Sequence, residues 1–228
     1  GENLPNWQPL LSFLFLTALL VVDFWPLGHL NRQTWMRLLT EKIPFFLLAL
    51  ASCAITLHAQ PQTVRAHAPG VMAANALVSC AGSVATWAWP ATLSILYPHP
   101  GENLPNWQPL LSFLFLTAVS IAAVRRARAM PWLLAGWLWH LILLLPALGI
   151  GEWALADRLT YLPHIGLNLV LAWGAAALLA RFPVPKAWMI ASAAAVLLAL
   201  SMRTLQQLTY WKDSETLLTH AIAATQDN

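Results

Sequence analysis

Runs of about twenty apolar residues recur along this chain, and that one feature excludes most soluble folds. A hydrocarbon core about 30 Å thick is crossed by a helix of roughly 20 mostly apolar residues. Six stretches meet that requirement: about 8–25, 43–60, 108–124, 131–149, 163–180 and 186–203. A seventh, 71–96, is apolar but interrupted by Asn75, Gly82 and Pro90. Charged residues make up only 9% of the 228, against roughly a quarter in a soluble domain. The expected class is all-α integral membrane, with about six transmembrane helices. No cleavable signal peptide is evident, because the first apolar run lacks a basic flank and a small-residue cleavage site.

Basic residues set the expected orientation, since cytoplasmic loops collect Lys and Arg. Arg32, Arg37 and Lys42 follow the first run, Arg125, Arg126 and Arg128 the third, and Arg181 and Lys186 join the last two. Those are eight of the twelve basic side chains, and Arg65, Arg158, Arg203 and Lys212 fall on the other side. Both termini are therefore expected outside the cytoplasm, as are 60–70, 97–107 and 150–162. Segment 71–96 then has to leave and return to one face, as a re-entrant or interfacial helix. Many of the thirteen Trp, including Trp25, Trp107, Trp132, Trp153 and Trp188, sit at the ends of these runs, as interfacial indoles do. The formal charge of +3 is spread over short loops, so no nucleic-acid partner is implied. Cys53 and Cys80 both lie in apolar segments without CxxC spacing, which reads as buried thiols.

Residues 1–18 and 101–118 are identical, and the match stops at Leu19 against Val119. Structural repeats keep a pattern and drift in identity. Segment 1–18 is accordingly expected to be a misplaced duplicate, and there is no initiator Met. Residues 19–204 read as a polytopic membrane domain and 205–228 as a soluble extracytoplasmic linker. Segment 26–42 is expected to hold a short amphipathic helix with Trp35, Leu38 and Leu39 on one face. The three prolines of 97–107 are expected to deny that loop regular structure. In the linker, Asp213 or Ser214 can cap a helix whose apolar face carries Leu217, Leu218, Ala221 and Ile222. Such a short helix is not stable alone.

Asp157 and Arg158 are the first candidates for chemistry. The planar five-donor fork of an Arg suits a phosphate at the mouth of a bundle, and Tyr161 follows about one helical turn later. A local Asp–Arg pair that pins the loop accounts for the same spacing. His58, His67, His99 and His164 share the predicted outer face, yet there is no HExxH and no His pair at i, i+4. Scattered interfacial histidines, with no metal site, explain them more simply. His140 reads as a hydrogen-bonded packing residue inside a span. Asp23 suits either a helix-end role near the interface or an ion relay. No phosphate-binding glycine loop, nucleophile elbow or catalytic carboxylate pair is present.

Ala156-Asp157-Arg158-Leu159-Thr160-Tyr161-Leu162-Pro163, followed by Ile165-Gly166, resembles the ADRYTYLP…IG signature of the multi-spanning, tetratricopeptide-bearing glycosyltransferases akin to the transmembrane O-mannosyltransferases. Other pieces agree in order. Asp23-Phe24-Trp25-Pro26-Leu27-Gly28 resembles that family's D-[YF]-W-P-L-G, and Glu41-Lys42-Ile43-Pro44-Phe45 its E-K-[IL]-P-F. Trp89-Pro90 with Tyr97-Pro98-His99-Pro100 resembles WP…YPHP. Tyr210-Trp211-Lys212-Asp213-Ser214-Glu215 with His220-Ala221 is similar to the lead-in to its tetratricopeptide repeats. Leu159 stands where the signature usually has Tyr, and His164 where an aliphatic is common.

The resemblance implies the C-terminal part of a GT-C-type membrane domain. It implies transfer of a sugar from a polyprenyl-phosphate donor to a protein acceptor on the extracytoplasmic face; no cofactor is evident in the sequence beyond that lipid-linked donor. Arg158 would meet the donor phosphate, Asp157 would orient it and Tyr161 would line the site, with Tyr97 and His99 as second candidates. Tetratricopeptide repeats beyond Asn228 would hold the acceptor. The family's catalytic acid belongs to a first external loop that these residues do not supply, so the chain reads as a fragment of the enzyme. The expected location is a bacterial inner membrane. The alternative is a non-catalytic membrane anchor for a tetratricopeptide scaffold. A transporter would instead call for inverted repeats and paired intramembrane charges.

Overall fold

A computed structural model describes residues 21–28, 35–59, 68–90, 93, 97–98, 104–145, 153–155, 159–182 and 184–224. The fold is helical. After a helical turn at 21–24 come α1 (Trp35–Ala59), α2 (Pro69–Ala88), α3 (Trp107–Arg126), α4 (Pro131–Leu144), α5 (Tyr161–Arg181), α6 (Lys186–Tyr210) and α7 (Ser214–Ala224). A two-residue strand, β1 (Tyr97–Pro98), pairs antiparallel with β2 (Trp153–Leu155). Among the described residues, four helices are long and apolar enough to cross a membrane: Gly70–Ala88, Trp107–Arg126, Tyr161–Arg181 and Lys186–Tyr210. The chain is a membrane protein by that measure.

Local chemistry explains where several helices start and stop. Pro69 and Pro131 occupy the first turns of α2 and α4, where the missing N–H has no intrahelical partner to lose. Arg125 and Arg126 close α3, and Arg181 closes α5, each complementing the negative end of the helix dipole. Asp213 accepts a hydrogen bond from the Thr216 backbone N–H at 2.8 Å, which caps α7. The same bond, followed by that of the Thr216 hydroxyl, holds the Asp213 carboxyl below its usual value.

The α4–α5 pair is the most extensive contact, with α2 against α3 and α3 against α4 around it. Glycine makes the first of these approachable. A Cβ on Gly136 would overlap the Gly166 carbonyl oxygen and approach Val170 Cγ2 to 2.6 Å. A Cβ on Gly166 would overlap the Gly136 carbonyl oxygen. Close backbone approach through small residues is how helices associate in lipid, where apolar burial gives no driving force between them. Ala123, Trp137 and Leu167 form one buried cluster with Val84 and Trp87 against it, and Cys80 and Leu144 form another with Leu116 and Leu159 against it. Going from the second cluster to the first, numbering rises in α2, α3 and towards α5, and falls in α4. Helices α2, α3 and α5 therefore run the same way, and α4 runs against them.

Several sequence expectations need correction. Segment 71–96 is not interrupted at Asn75 or Gly82. Its helix runs through both and ends at Ala88, ahead of Pro90. The short amphipathic helix expected within 26–42 does not stand apart, because α1 continues from Trp35 through Pro44 to Ala59. Its missing hydrogen bond at Pro44 is of a kind membrane helices accommodate. The fourth apolar run ends its α-helix at Leu144 instead of reaching 149. Helix α6 runs on to Tyr210, across the boundary expected between the membrane domain and the linker at 204/205. The prolines of 97–107 do not prevent local order, since Tyr97 and Pro98 pair with the strand at 153–155. A two-residue edge pairing leaves the proline nitrogen without a demand it cannot meet. Residues 1–18 lie outside the described residues, whereas most of their copy forms the start of α3.

Candidate functional site

Two loops that the sequence singled out separately are joined by backbone pairing. Tyr97 sits opposite Leu155, and Pro98 opposite Trp153. Leu155 precedes Asp157 by two residues, and Pro98 immediately precedes His99. Asp157, Arg158 and His99 themselves lie outside the described residues. Tyr161 opens α5 and is 76% exposed, with its phenol free to meet something beyond the bundle. The pairing thus joins the backbones at Tyr97–Pro98 and Trp153–Leu155, the latter ending two residues before Asp157 in sequence.

Beneath this end a polar seam enters the helices. On α2, Asn75, Ser79 and Ser83 recur every four residues, which stacks them on one face, and all three are buried. Trp87 continues the row. Facing it on α5 are His164 and Asn168, also four apart. Ser83 Oγ lies 3.2 Å from His164 Nε2, and Trp87 Nε1 donates to Asn168 Oδ1 at 2.9 Å. Matching the spacing on the two helices turns two hydrogen bonds into a ladder that fixes their register.

Helix α4 supplies the rest. His140 is fully buried, and its Nδ1 donates to the Pro163 carbonyl at 3.3 Å. Its ring stacks on that of His164 with centroids 6.0 Å apart, and on the Trp137 indole at 5.8 Å. Trp139 Nε1 donates to the Leu162 carbonyl at 2.9 Å, and Trp137 Nε1 to Ser120 Oγ at 2.9 Å. Both acceptors are backbone carbonyls at the start of α5. Within the first turn of α5, Pro163 is a residue without an N–H, and the Leu162 and Pro163 carbonyls take side-chain donors from α4. Among the described residues, Asn75 Nδ2 and His140 Nε2 are buried with no hydrogen-bond partner.

The helical turn at 21–24 and α1 form a second polar contact. Asp23 and Lys42 make an ion pair, with side chains only 11% and 15% exposed. In the sequence Asp23 reads alone, as a helix-end residue or a relay, and in the structure Lys42 of the neighbouring motif pairs with it. Trp25, next along, packs edge-on against Trp173 of α5 with centroids 5.1 Å apart. A third contact set gathers on the segment after α2. Arg203 Nη2 donates to the Pro90 carbonyl at 3.5 Å and its guanidinium lies 5.8 Å from the Trp89 ring centroid. Gln207 Nε2 and His220 Nε2 both reach the Leu93 carbonyl at 3.3 Å, and His220 stacks on Tyr210 at 3.7 Å.

Sequence reasoning missed the seam. Its signal was present in the four-residue spacing of Asn75, Ser79 and Ser83, which is a row on a helix and not a set of breaks. His164, which reads from sequence as one of several interfacial histidines, is half-buried and bonded across helices. Among the described residues no three His, Cys, Asp or Glu side chains gather as a metal site would need. Compared with known protein families, curated proteins and solved structures, the chain matches none.

Proposed function

We propose that this chain belongs to the membrane domain of a glycosyltransferase that moves a sugar from a polyprenyl-phosphate carrier to a protein hydroxyl outside the cytoplasm. The observation that carries this reading is the pairing of Tyr97 with Leu155, which joins the two loops holding the proposed substrate residues. In the reaction the bond between the sugar C1 and the phosphate oxygen breaks, and a bond from C1 to the acceptor oxygen forms. The acceptor proton passes to an acidic side chain acting as base. Arg158, oriented by Asp157, neutralises charge that grows on the leaving phosphate. Tyr161 and Tyr97 line the approach, with His99 beside them.

Helix directions support the topology behind this reading. The shared direction of α2, α3 and α5 agrees with loops 60–70, 97–107 and 150–162 lying on one side. The basic ends of α3 and α5 then face the cytoplasm together. About six spans and one re-entrant or interfacial helix, over 71–96, make up the proposed bundle, with both termini extracytoplasmic in a bacterial inner membrane.

The alternative, a non-catalytic anchor for a tetratricopeptide scaffold, is favoured by one observation. Helix α7 leaves Leu218 and Ile222 about 60% exposed, as a helix awaiting a stacked repeat would. Arg158→Ala in the full-length protein separates the two. Loss of sugar transfer by at least about 100-fold, with weakened binding of the lipid-phosphate donor, is expected for the enzyme. Unchanged donor binding and transfer would remove Arg158 from the site, and absence of transfer by the unaltered protein would favour the anchor.

A further inference from the structure

Helix α6 is exposed along almost its whole length, and the exceptions near its end share one face. From 191 to 210 every residue is exposed except Arg203, Gln207 and Tyr210, which stand at i, i+4 and i+7 and are half-buried. On α7 the half-buried residues among 214–222 are Leu217, His220 and Ala221, again on one face. Side chains from these two faces fasten the chain that leaves α2. Arg203 holds the Pro90 carbonyl. The Leu93 carbonyl accepts from Gln207 Nε2 and from His220 Nε2, so two helices fill its two lone pairs. The His220 ring lies flat on Tyr210, with planes 4° apart, and folds α7 back onto the end of α6. Leu93 is four residues ahead of Tyr97, a reach of at most about 14 Å. Holding the Leu93 carbonyl therefore confines Tyr97, which pairs with Leu155.

We propose that α7 is a strap on the connection between α2 and α3. Docked through His220, it holds that connection at Leu93 and keeps Tyr97 paired with Leu155. Undocked, it frees both. An eleven-residue helix is not stable alone, and none of the residues 214–222 is buried. Elements with so little buried surface open at a lower free energy than packed ones, so α7 undocks while α4 and α5 stay together. A contact that draws His220 away from Leu93 is thereby felt at the strands 97–98 and 153–155. The strap does not rest on the reading of the chain as a glycosyltransferase, because it concerns the pairing itself and not what the two loops bind.

The test is the rate of disulfide formation in the full chain in lipid nanodiscs, carrying Tyr97→Cys and Leu155→Cys with Cys53→Ala and Cys80→Ala. Residues opposite one another in an antiparallel pair have Cα atoms about 4.5–5.5 Å apart, within disulfide reach. His220→Phe keeps an aromatic ring on Tyr210 and removes the donor to Leu93. It is expected to slow cross-linking about five-fold, the effect of losing one net hydrogen bond. His220→Ala, which removes the stack as well, should slow it further. Unchanged rates in both variants overturn the strap. Hydrogen–deuterium exchange of the chain with its native cysteines, with and without the His220 substitutions, gives an independent reading. Uptake should rise over 89–98 and 214–224 while 161–181 stays protected. A rise confined to 214–224 would show α7 undocking without moving Tyr97, and overturns the strap. A rise that includes 161–181 would mean general loosening, and overturns it as well.

Discussion

Helices α5 and α6 are neighbours in sequence, 21 and 25 residues long, and nearly alike in apolar character. They are built into the molecule in opposite ways. Helix α5 buries Pro163, Gly166 and Leu167, shares hydrogen bonds with α2 and α4, and meets Trp25 through Trp173. Helix α6 buries no residue at all, and its Trp188 is 71% exposed. Its contacts sit at the far end, where Arg203 and Gln207 reach the backbone at Pro90 and Leu93. Apolar composition therefore brings a helix into the membrane and says little about what it packs against. In lipid the discriminating features are small residues that let backbones approach and polar side chains that find partners. Helix α5 has both along its first half. Helix α6 has a run of alanines, Ala193–Ala195, that stay exposed.

That contrast can be broken at Gly166. Gly166→Ala would push its Cβ into the Gly136 carbonyl, and a loss of about 3 kcal/mol is expected in thermal or denaturant unfolding in detergent. Gly174→Ala on the same helix meets only Trp132 ring atoms at 3.5 Å, so it should be neutral or slightly stabilising. Equal effects at the two glycines would mean that the α4–α5 approach is not what holds α5.

The Asp23–Lys42 pair sharpens the comparison from the other end of α5, through Trp25. Lys42→Ala removes the cation beside a largely buried carboxylate and is expected to cost about 2 kcal/mol, less than a fully buried pair because both side chains keep some exposure. Combining Asp23→Asn with Lys42→Met should recover most of that loss. A double variant no better than the single one would show that the charges act separately.

At the α6 end the expected effects are smaller. The Asp213 carboxyl is held below its ordinary value by the Thr216 backbone N–H and hydroxyl. Its contribution to α7 is therefore complete above the unfolded value of about 3.9 and disappears as pH falls through the lower folded one. Helix content of α7, followed by the Thr216 amide signal, should decline only in that acid window. Asp213→Asn should keep the cap and lose the dependence; a decline near pH 6 would point to another group. Smallest of all, Ala194→Leu on the exposed face of α6 should shift stability by less than about 0.5 kcal/mol. A cost comparable with Gly166→Ala would reveal a partner for that face.

Legibility followed the range of the interactions. Apolar length located the spans to within a few residues for α3 and α5, because crossing a hydrocarbon layer is a local requirement on consecutive residues. The cap at Asp213 was readable for the same reason, with donor and acceptor three positions apart. Asn75 and Gly82 were misread as interruptions, since local propensity weighs them against a helix while tertiary contacts use them on one. The His164–Ser83 bond spans 81 residues, as does Trp87–Asn168, and nothing in either segment alone announces the other. The pairing of the Tyr97 and Leu155 strands was similarly invisible, although both loops had been marked for their chemistry.

By itself the sequence determined that this chain lives in a membrane as helices, because too few of its residues are polar enough to face water and each apolar run must satisfy its own backbone. It also determined the basic and aromatic ends of those helices. Only the tertiary structure decided which helices touch. Lipid is as apolar as the helix surfaces, so partner choice rests on a glycine meeting a glycine, a histidine meeting a serine and a lysine meeting an aspartate across the fold. Those are matches in space, and they exist only once the chain has brought distant residues to the same level of the bundle.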